Sequence, residues 1–171
     1  MNQYRNHPSG HYGRQRRGGQ PPGAGPSTET VIKYWGKDYL SGGYFDQNGN
    51  LKTEYVCREN VEPLVKVMCE QRTSLTTHQV RRYFGHCRAI ETKLRAAGAA
   101  WDSVRPLVCR LDSAAADGAA KQPPKIPELF HDFIRRNVAA VKTKKDFLEG
   151  FLPHFEALVG FGQAYFKKDR S

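Results

Sequence analysis

An all-α fold, a compact bundle of about five to six helices preceded by a disordered tail, follows from three features of the sequence. Apolar residues recur at helical steps through most of residues 58 to 165, no alternating β-branched strands separate those runs, and helix-start signals stand between them. The first 28 residues are different. They carry six Gly, four Pro and four Arg, no Asp or Glu and almost no aliphatic side chain, so burial cannot offset the entropy of ordering them. The expected organisation is therefore a disordered Arg/Gly/Pro-rich tail over 1–28, whose Arg14, Arg16 and Arg17 beside Gly18 and Gly19 suit sequence-tolerant RNA affinity, and a helical domain over 29–171. About 143 residues can bury roughly two thirds of their unfolded surface, enough for a core without disulfides or metal.

The first element is a short helix over ETVIKYWGKDYL, with Val31, Ile32, Trp35, Tyr39 and Leu40 at helical spacing. SGGYFDQNGNLKTEYV follows as turns forced by Gly42, Gly43 and Asn48-Gly49-Asn50, with a hairpin as the alternative. Pro63 is tolerated best near a helix start, which places the next regular segment from Val61 or Glu62, with Val61, Leu64, Val65, Met68 and Cys69 as its stripe.

Leu75-Thr76-Thr77-His78-Gln79-Val80 is the best-specified start. Thr76 and Gln79 form a capping box, Leu75 staples onto Val80, and the helix runs to about Ala97 with Val80, Phe84, Cys87, Ile90 and Leu94 inward. Asp102 or Ser103 caps the following helix, which turns Val104, Leu107, Val108 and Leu111 inward and ends near Gly118. A loop over Asp117 to Pro124 comes next. Pro127 at a first helical position then opens a segment with Leu129, Phe130, Phe133, Ile134, Val138 and Val141 on its apolar side.

The last helix begins at Thr143, with Asp146 in its first turn. Phe147, Phe151, Phe155, Leu158, Gly162 and Tyr165 share a face so wide that the helix must be central or form an oligomer contact, and Pro153 should kink it near Glu149.

Four cysteines, Cys57, Cys69, Cys87 and Cys109, are spaced by 12, 18 and 22 residues with no C-x-x-C pair. Zinc ligation is not indicated, and Cys69, Cys87 and Cys109 read as reduced, buried thiols. No apolar run is long enough to span a bilayer and no signal sequence is evident, so a soluble cytoplasmic protein without membrane contact is expected. No cofactor motif is present. His131-Asp132 is the one enzyme-like dipeptide; without further ligands from other helices it reads as a solvated helix face, and no catalytic or metal site is expected.

A net charge of +10 with a pI near 9.6 points to a polyanionic partner. Arg81, Arg88 and Arg95 recur every seven residues, a row of about 21 Å along one helix flank, with Arg82 beside it. Arg135-Arg136, Lys142-Thr143-Lys144-Lys145 and Lys167-Lys168 are the other basic clusters, and free amides at Thr143 offer a further phosphate site. Phosphate contacts from such a set carry no base code. The candidate RNA-binding residues are thus Arg81, Arg82, Arg88, Arg95, Arg135, Arg136, Lys142, Lys144 and Lys145. Pairing of Arg88 with Glu91 or Asp112 is the competing, structural account.

LTTHQVRRYFGHCRAIETKL over 75–94 and KDFLEGFLPHFEALVGFGQAYFK over 145–167 resemble the small subunits of type III-A CRISPR (Csm) effectors, and GYFDQNGNLKTEYV over 43–56 is similar to their entry segment. Pro153, the Ala114-Ala115-Ala116 run and the Arg-rich tail depart from that pattern. The resemblance implies a non-catalytic helical subunit of an antiviral ribonucleoprotein, present in several self-associating copies beside the backbone subunit. Guide RNA and target RNA would touch its basic faces, and Arg81 matches the Arg of the Leu-Thr-Thr motif. A helical protein-protein adaptor using the aromatic last helix, a metal-dependent hydrolase and the small subunit of the related type III-B effector remain as alternatives.

Overall fold

The computed structural model describes residues 30–167, so the expected disorder of 1–28 and the Lys168 end of the last basic pair lie outside the described residues. The element order is α1 (Val31–Trp35), a 3-10 turn (Thr53–Tyr55), α2 (Arg58–Glu70), α3 (Thr77–Arg95), α4 (Trp101–Ala120), α5 (Glu128–Ala140), a π-helical turn (Asp146–Phe151) and α6 (Leu152–Gly162). Among the described residues there is no strand, as the helical periodicity requires. α6 lies at the centre, packed on α2 and α3, while α4 bridges α3 to α5.

The aromatic stripe of the last segment accounts for that position. Phe147, Phe151, Phe155 and Leu158 are fully buried, and Phe155 meets the rings of Phe84, Phe130, Phe133 and Phe151 from three elements. The wide apolar face is thus covered from within the chain. The stripe of α2 is buried as its spacing predicts: Val61, Leu64, Val65, Met68 and Cys69. On α3 the buried aromatic is Tyr83 rather than Phe84, which is half-buried. Tyr83 reaches α4 by donating to the Ala114 carbonyl at 3.0 Å.

Several boundaries differ from the sequence reading. α2 starts at Arg58, three residues early, and keeps Pro63 in its second turn; α4 likewise holds Pro106 in its second turn. In both helices the proline and the residue four before it are exposed, so water can take the carbonyl that a proline leaves unpaired. α4 begins at Trp101 without a side-chain cap and continues to Ala120, so Asp117 to Ala120 is helix rather than loop. Ala115 and Gly118 are buried there. α3 ends at Arg95, two residues early, before Gly98 turns at φ 73. Pro127 is the residue before α5 rather than its first turn.

α1 spans only Val31–Trp35, because Gly36 leaves the helix at φ 121, and Tyr39 and Leu40 follow in turns. The hairpin alternative is reduced to one antiparallel bridge, Phe45 with Leu51, closed by Asp46 Oδ1 accepting from the amides of Asn48 and Asn50. Instead of a simple kink at Pro153, the chain widens into a π turn just before it, where the Leu152 amide bonds the Phe147 carbonyl five residues back. That turn carries Gly150 against Tyr44. A Cβ at Gly150 would lie 2.5 Å from the Tyr44 ring, so only glycine admits the ring.

The four cysteines are free thiols. Burial pushes Cys69 up to about 11 and Cys87 up to about 12, whereas Cys109 is exposed because it falls on the outer side of α4.

Candidate nucleic-acid interface

The α3 row starts from a well-made helix. Thr76 Oγ1 accepts from the Gln79 amide at 3.3 Å while Gln79 Oε1 accepts from the Thr76 amide at 2.9 Å, the reciprocal cap the sequence predicts. Leu75 and Val80 are both buried beside it. With that start and the Val80, Tyr83, Cys87, Ile90, Leu94 stripe turned inward, Arg81, Arg82, Arg88 and Arg95 are all exposed.

Glu91 stands between two of them. Its carboxylate lies 2.9 Å from Arg88 Nη1 and 2.9 Å from Arg95 Nε, with its own side chain only 13% exposed. It turns one side to the core and its oxygens to the row. Three arginines and one glutamate leave a net of two positive charges. Arg81 and Arg82 make no ion pair among the described residues. Arg88 does not reach Asp112, whose Oδ1 lies 3.4 Å from His131 Nε2 instead.

Lys142, Lys144 and Lys145 are exposed at the start of the last helical segment. The amides that a phosphate would have used there are already spent. Asp146 Oδ2 accepts from the amides of Lys142 and Thr143 at 2.9 and 2.8 Å, and the Asp146 amide donates to Thr143 Oγ1 at 3.1 Å. Lys145 is also engaged: its Nζ donates to the Gly49 carbonyl at 3.1 Å and lies 4.5 Å from the Phe45 ring centre. Lys142 and Lys144 remain as cations without an ion pair among the described residues.

Arg135 and Arg136 share one buried carboxylate, and here the reading of His131-Asp132 as a solvated face is half corrected. Asp132 is 6% exposed, turned inward by the entry segment that packs on α5. Its Oδ2 accepts from the Val31 amide at 2.8 Å and from Arg136 Nε at 2.8 Å, and its Oδ1 accepts from Arg135 Nη2. Burial alone would raise its carboxyl, but the donors from Arg136, Val31 and Arg135 together hold it below the ordinary carboxylate range. His131, half-buried, faces Asp112 on α4 instead. The two side chains of the dipeptide therefore serve different partners, and no group of three or more potential ligands gathers among the described residues.

Sequence reasoning missed a buried polar chain behind this face. Tyr44 Oη donates to Asn137 Oδ1 at 2.9 Å, Asn137 Nδ2 donates to Tyr39 Oη at 2.7 Å, and Tyr39 Oη lies 2.9 Å from His154 Nε2. The far ring nitrogen, His154 Nδ1, faces the Tyr55 carbonyl, which can only accept. Nδ1 therefore carries the proton, and Tyr39 donates to Nε2. The signal was available, since Asn137 and His154 are polar residues at apolar-stripe positions of their helices.

A family model described as Csm2 Type III-A matches residues 56–168, well over half of the chain. The chain belongs to the Csm2 family of type III-A CRISPR effectors. Membership makes it a small subunit that assembles with other Csm subunits, in accord with the resemblance of 75–94 and 145–167. The Csm2 match begins at Val56, so the entry segment over 43–56 falls almost wholly outside it. No curated protein matches the chain, and no solved structure matches it. No helix of this Csm2 chain, among the described residues, is long and apolar enough to cross a membrane.

Proposed function

We propose that this Csm2 subunit is a non-catalytic, RNA-contacting element of the type III-A effector, laying the exposed flank of α3 against the backbone of guide or target RNA beside the backbone subunit, with several copies per assembly. The observation that carries the reading is the exposed Arg81, Arg88, Arg95 row, which keeps two net positive charges after Glu91. Guanidiniums about 10 Å apart can contact phosphates of one backbone or of two strands across a groove, and Arg offers bidentate geometry to each. Glu91 engages only Nη1 of Arg88 and Nε of Arg95, so it orders both guanidiniums while their remaining nitrogens stay available to a phosphate. Arg82, Lys142 and Lys144 extend the positive field. The adaptor alternative loses most of its surface, since Phe147, Phe151 and Phe155 are core and only Phe161 and Tyr165 are half-buried. Contacts to other subunits have an apolar groove of about 990 Å3 available, walled by Tyr34, Val67, Ala119 and Ile126 between the ends of α2 and α4 and the start of α5.

The test is RNA affinity across salt for the triple variant Arg81→Gln, Arg88→Gln, Arg95→Gln. With three positive charges removed from the contact and Glu91 left behind, the slope of log affinity against log salt should flatten by roughly two to three units, equally for different RNA sequences. Unchanged affinity with a lowered melting midpoint would assign the row to folding.

A further inference from the structure

A second cationic feature lies on the α5 side of the molecule. Tyr39, Leu40 and Ser41 face Arg135, Arg136, Ala139 and Ala140 across a cleft of about 290 Å3. We infer that this cleft is a seat for a single phosphodiester group of RNA, gripped by Arg136 and closed by Arg135, with buried Asp132 as the residue that positions both guanidiniums. The inference rests on the RNA-contacting reading above and assigns it a site distinct from α3.

The donor inventory carries it. The Arg136 side chain is only 23% exposed and spends Nε alone on Asp132, at 2.8 Å. Its Nη1 and Nη2, four N–H donors, make no hydrogen bond or ion pair among the described residues. Neither Nη is buried without a partner, so both face the open side of the cleft, where a bidentate acceptor can replace water on a guanidinium whose side chain is otherwise three quarters withdrawn. Arg135 is more open at 51% and likewise gives only Nη2 to Asp132. One carboxylate against two guanidiniums leaves the cleft one positive charge, to be balanced by a singly charged anion such as a phosphodiester.

The opposite wall is built rather than incidental. Leu40 is held in the left-handed region at φ 60, a strained choice for a leucine, and its amide is bonded to Tyr55 Oη at 3.2 Å. Ala139 and Ala140 keep the other side low, and the Tyr39 ring is buried with its hydroxyl committed to His154 and Asn137. No aromatic face of the lining is open for a base to stack on. The cleft thus reads backbone and not sequence.

The experiment measures RNA affinity and melting midpoint of the full chain in three variants. Arg136→Lys keeps the charge against Asp132 but loses the fork, and should weaken RNA binding about tenfold with little change in melting. Ala139→Glu, on the exposed side of α5, places a competing carboxylate at the cleft and should weaken binding to a similar degree even if Arg136→Lys destabilises the fold. Arg81→Gln is measured in parallel. Affinity within twofold of the parent for both cleft variants, while Arg81→Gln weakens binding, overturns the cleft and leaves the α3 row standing. No effect in any of the three overturns both. Intact RNA affinity with lost binding to the other effector subunits would make the occupant a partner's carboxylate, and also overturns the proposal.

Discussion

At the scale of single residues, the buried chain Tyr44, Asn137, Tyr39, His154 sets how the molecule responds to acid. Burial of His154 pulls its imidazole down to about 4 against an ordinary 6.5, so the folded state holds it neutral. A depressed folded value means that its contribution is fully present above pH 6.5 and is lost as pH falls from 6.5 toward 4. The loss is on the order of 3 kcal/mol, large against the stability of a domain this size. The melting midpoint should therefore drop steeply across that window. In His154→Gln it should start lower at neutral pH and fall less between 6.5 and 4. An equally steep fall in the variant would place the acid sensitivity elsewhere. Asp132, whose carboxyl is held low, adds its own loss only at still lower pH. Neither Asn137 nor His154 could be assigned its side-chain partner from the sequence, because Tyr39, which both of them meet, lies 98 and 115 residues away. Their places on apolar stripes were nonetheless visible.

At the scale of the element, local chemistry decided the starts and tertiary packing decided the rest. Thr76 with Gln79 and Thr143 with Asp146 both cap as their spacing requires. Thr76→Ala should cost about 1 kcal/mol, read as a lower midpoint of denaturant unfolding with an unchanged slope. No loss would mean that Gln79, whose side chain also bonds the Lys125 carbonyl, holds the start of α3 alone. Prolines were misread in the opposite sense. Pro63 suggested a boundary, yet it lies in a helix on its wet side, as Pro106 does in α4, where one missing bond is inexpensive compared with the apolar stripe that continuing the helix buries. Pro153 is accommodated by the π turn before it, which also swings Gly150 to Tyr44.

For the whole molecule, the fold is larger than the part that the family model matches. Val31, Tyr39, Tyr44 and Tyr55 are buried, and they tie residues 30 to 55 onto α5 and α6 through Asp132, Asn137, His154 and Gly150. At roughly 1.5–3 kcal/mol for each large apolar side chain buried, these four alone approach the whole stability of a typical domain. A chain beginning at Val56 should lose its cooperative melt and expose the His154 ring, which Trp35, Tyr39 and Tyr55 cover. A sharp transition within a few degrees of the full chain would show the matched part to be self-sufficient. The same entry segment forms one wall of the Arg136 cleft through Tyr39, Leu40 and Ser41.

By itself the sequence determined the helical class, the order of the helices, their buried stripes, the caps at Thr76 and Thr143 and the basic surplus, because each depends on residues within a few turns of one another. Its likeness to type III-A small subunits rested on two such local stretches. Only the tertiary structure decided which charged groups are committed at long range: Lys145 to the Gly49 carbonyl, and Asp132, already beside Arg135 and Arg136, to the Val31 amide. Charge is a property of composition, but a free donor is what remains after every neighbour in space has been counted. Asp132 sits 101 residues from Val31, and only folding brings them together.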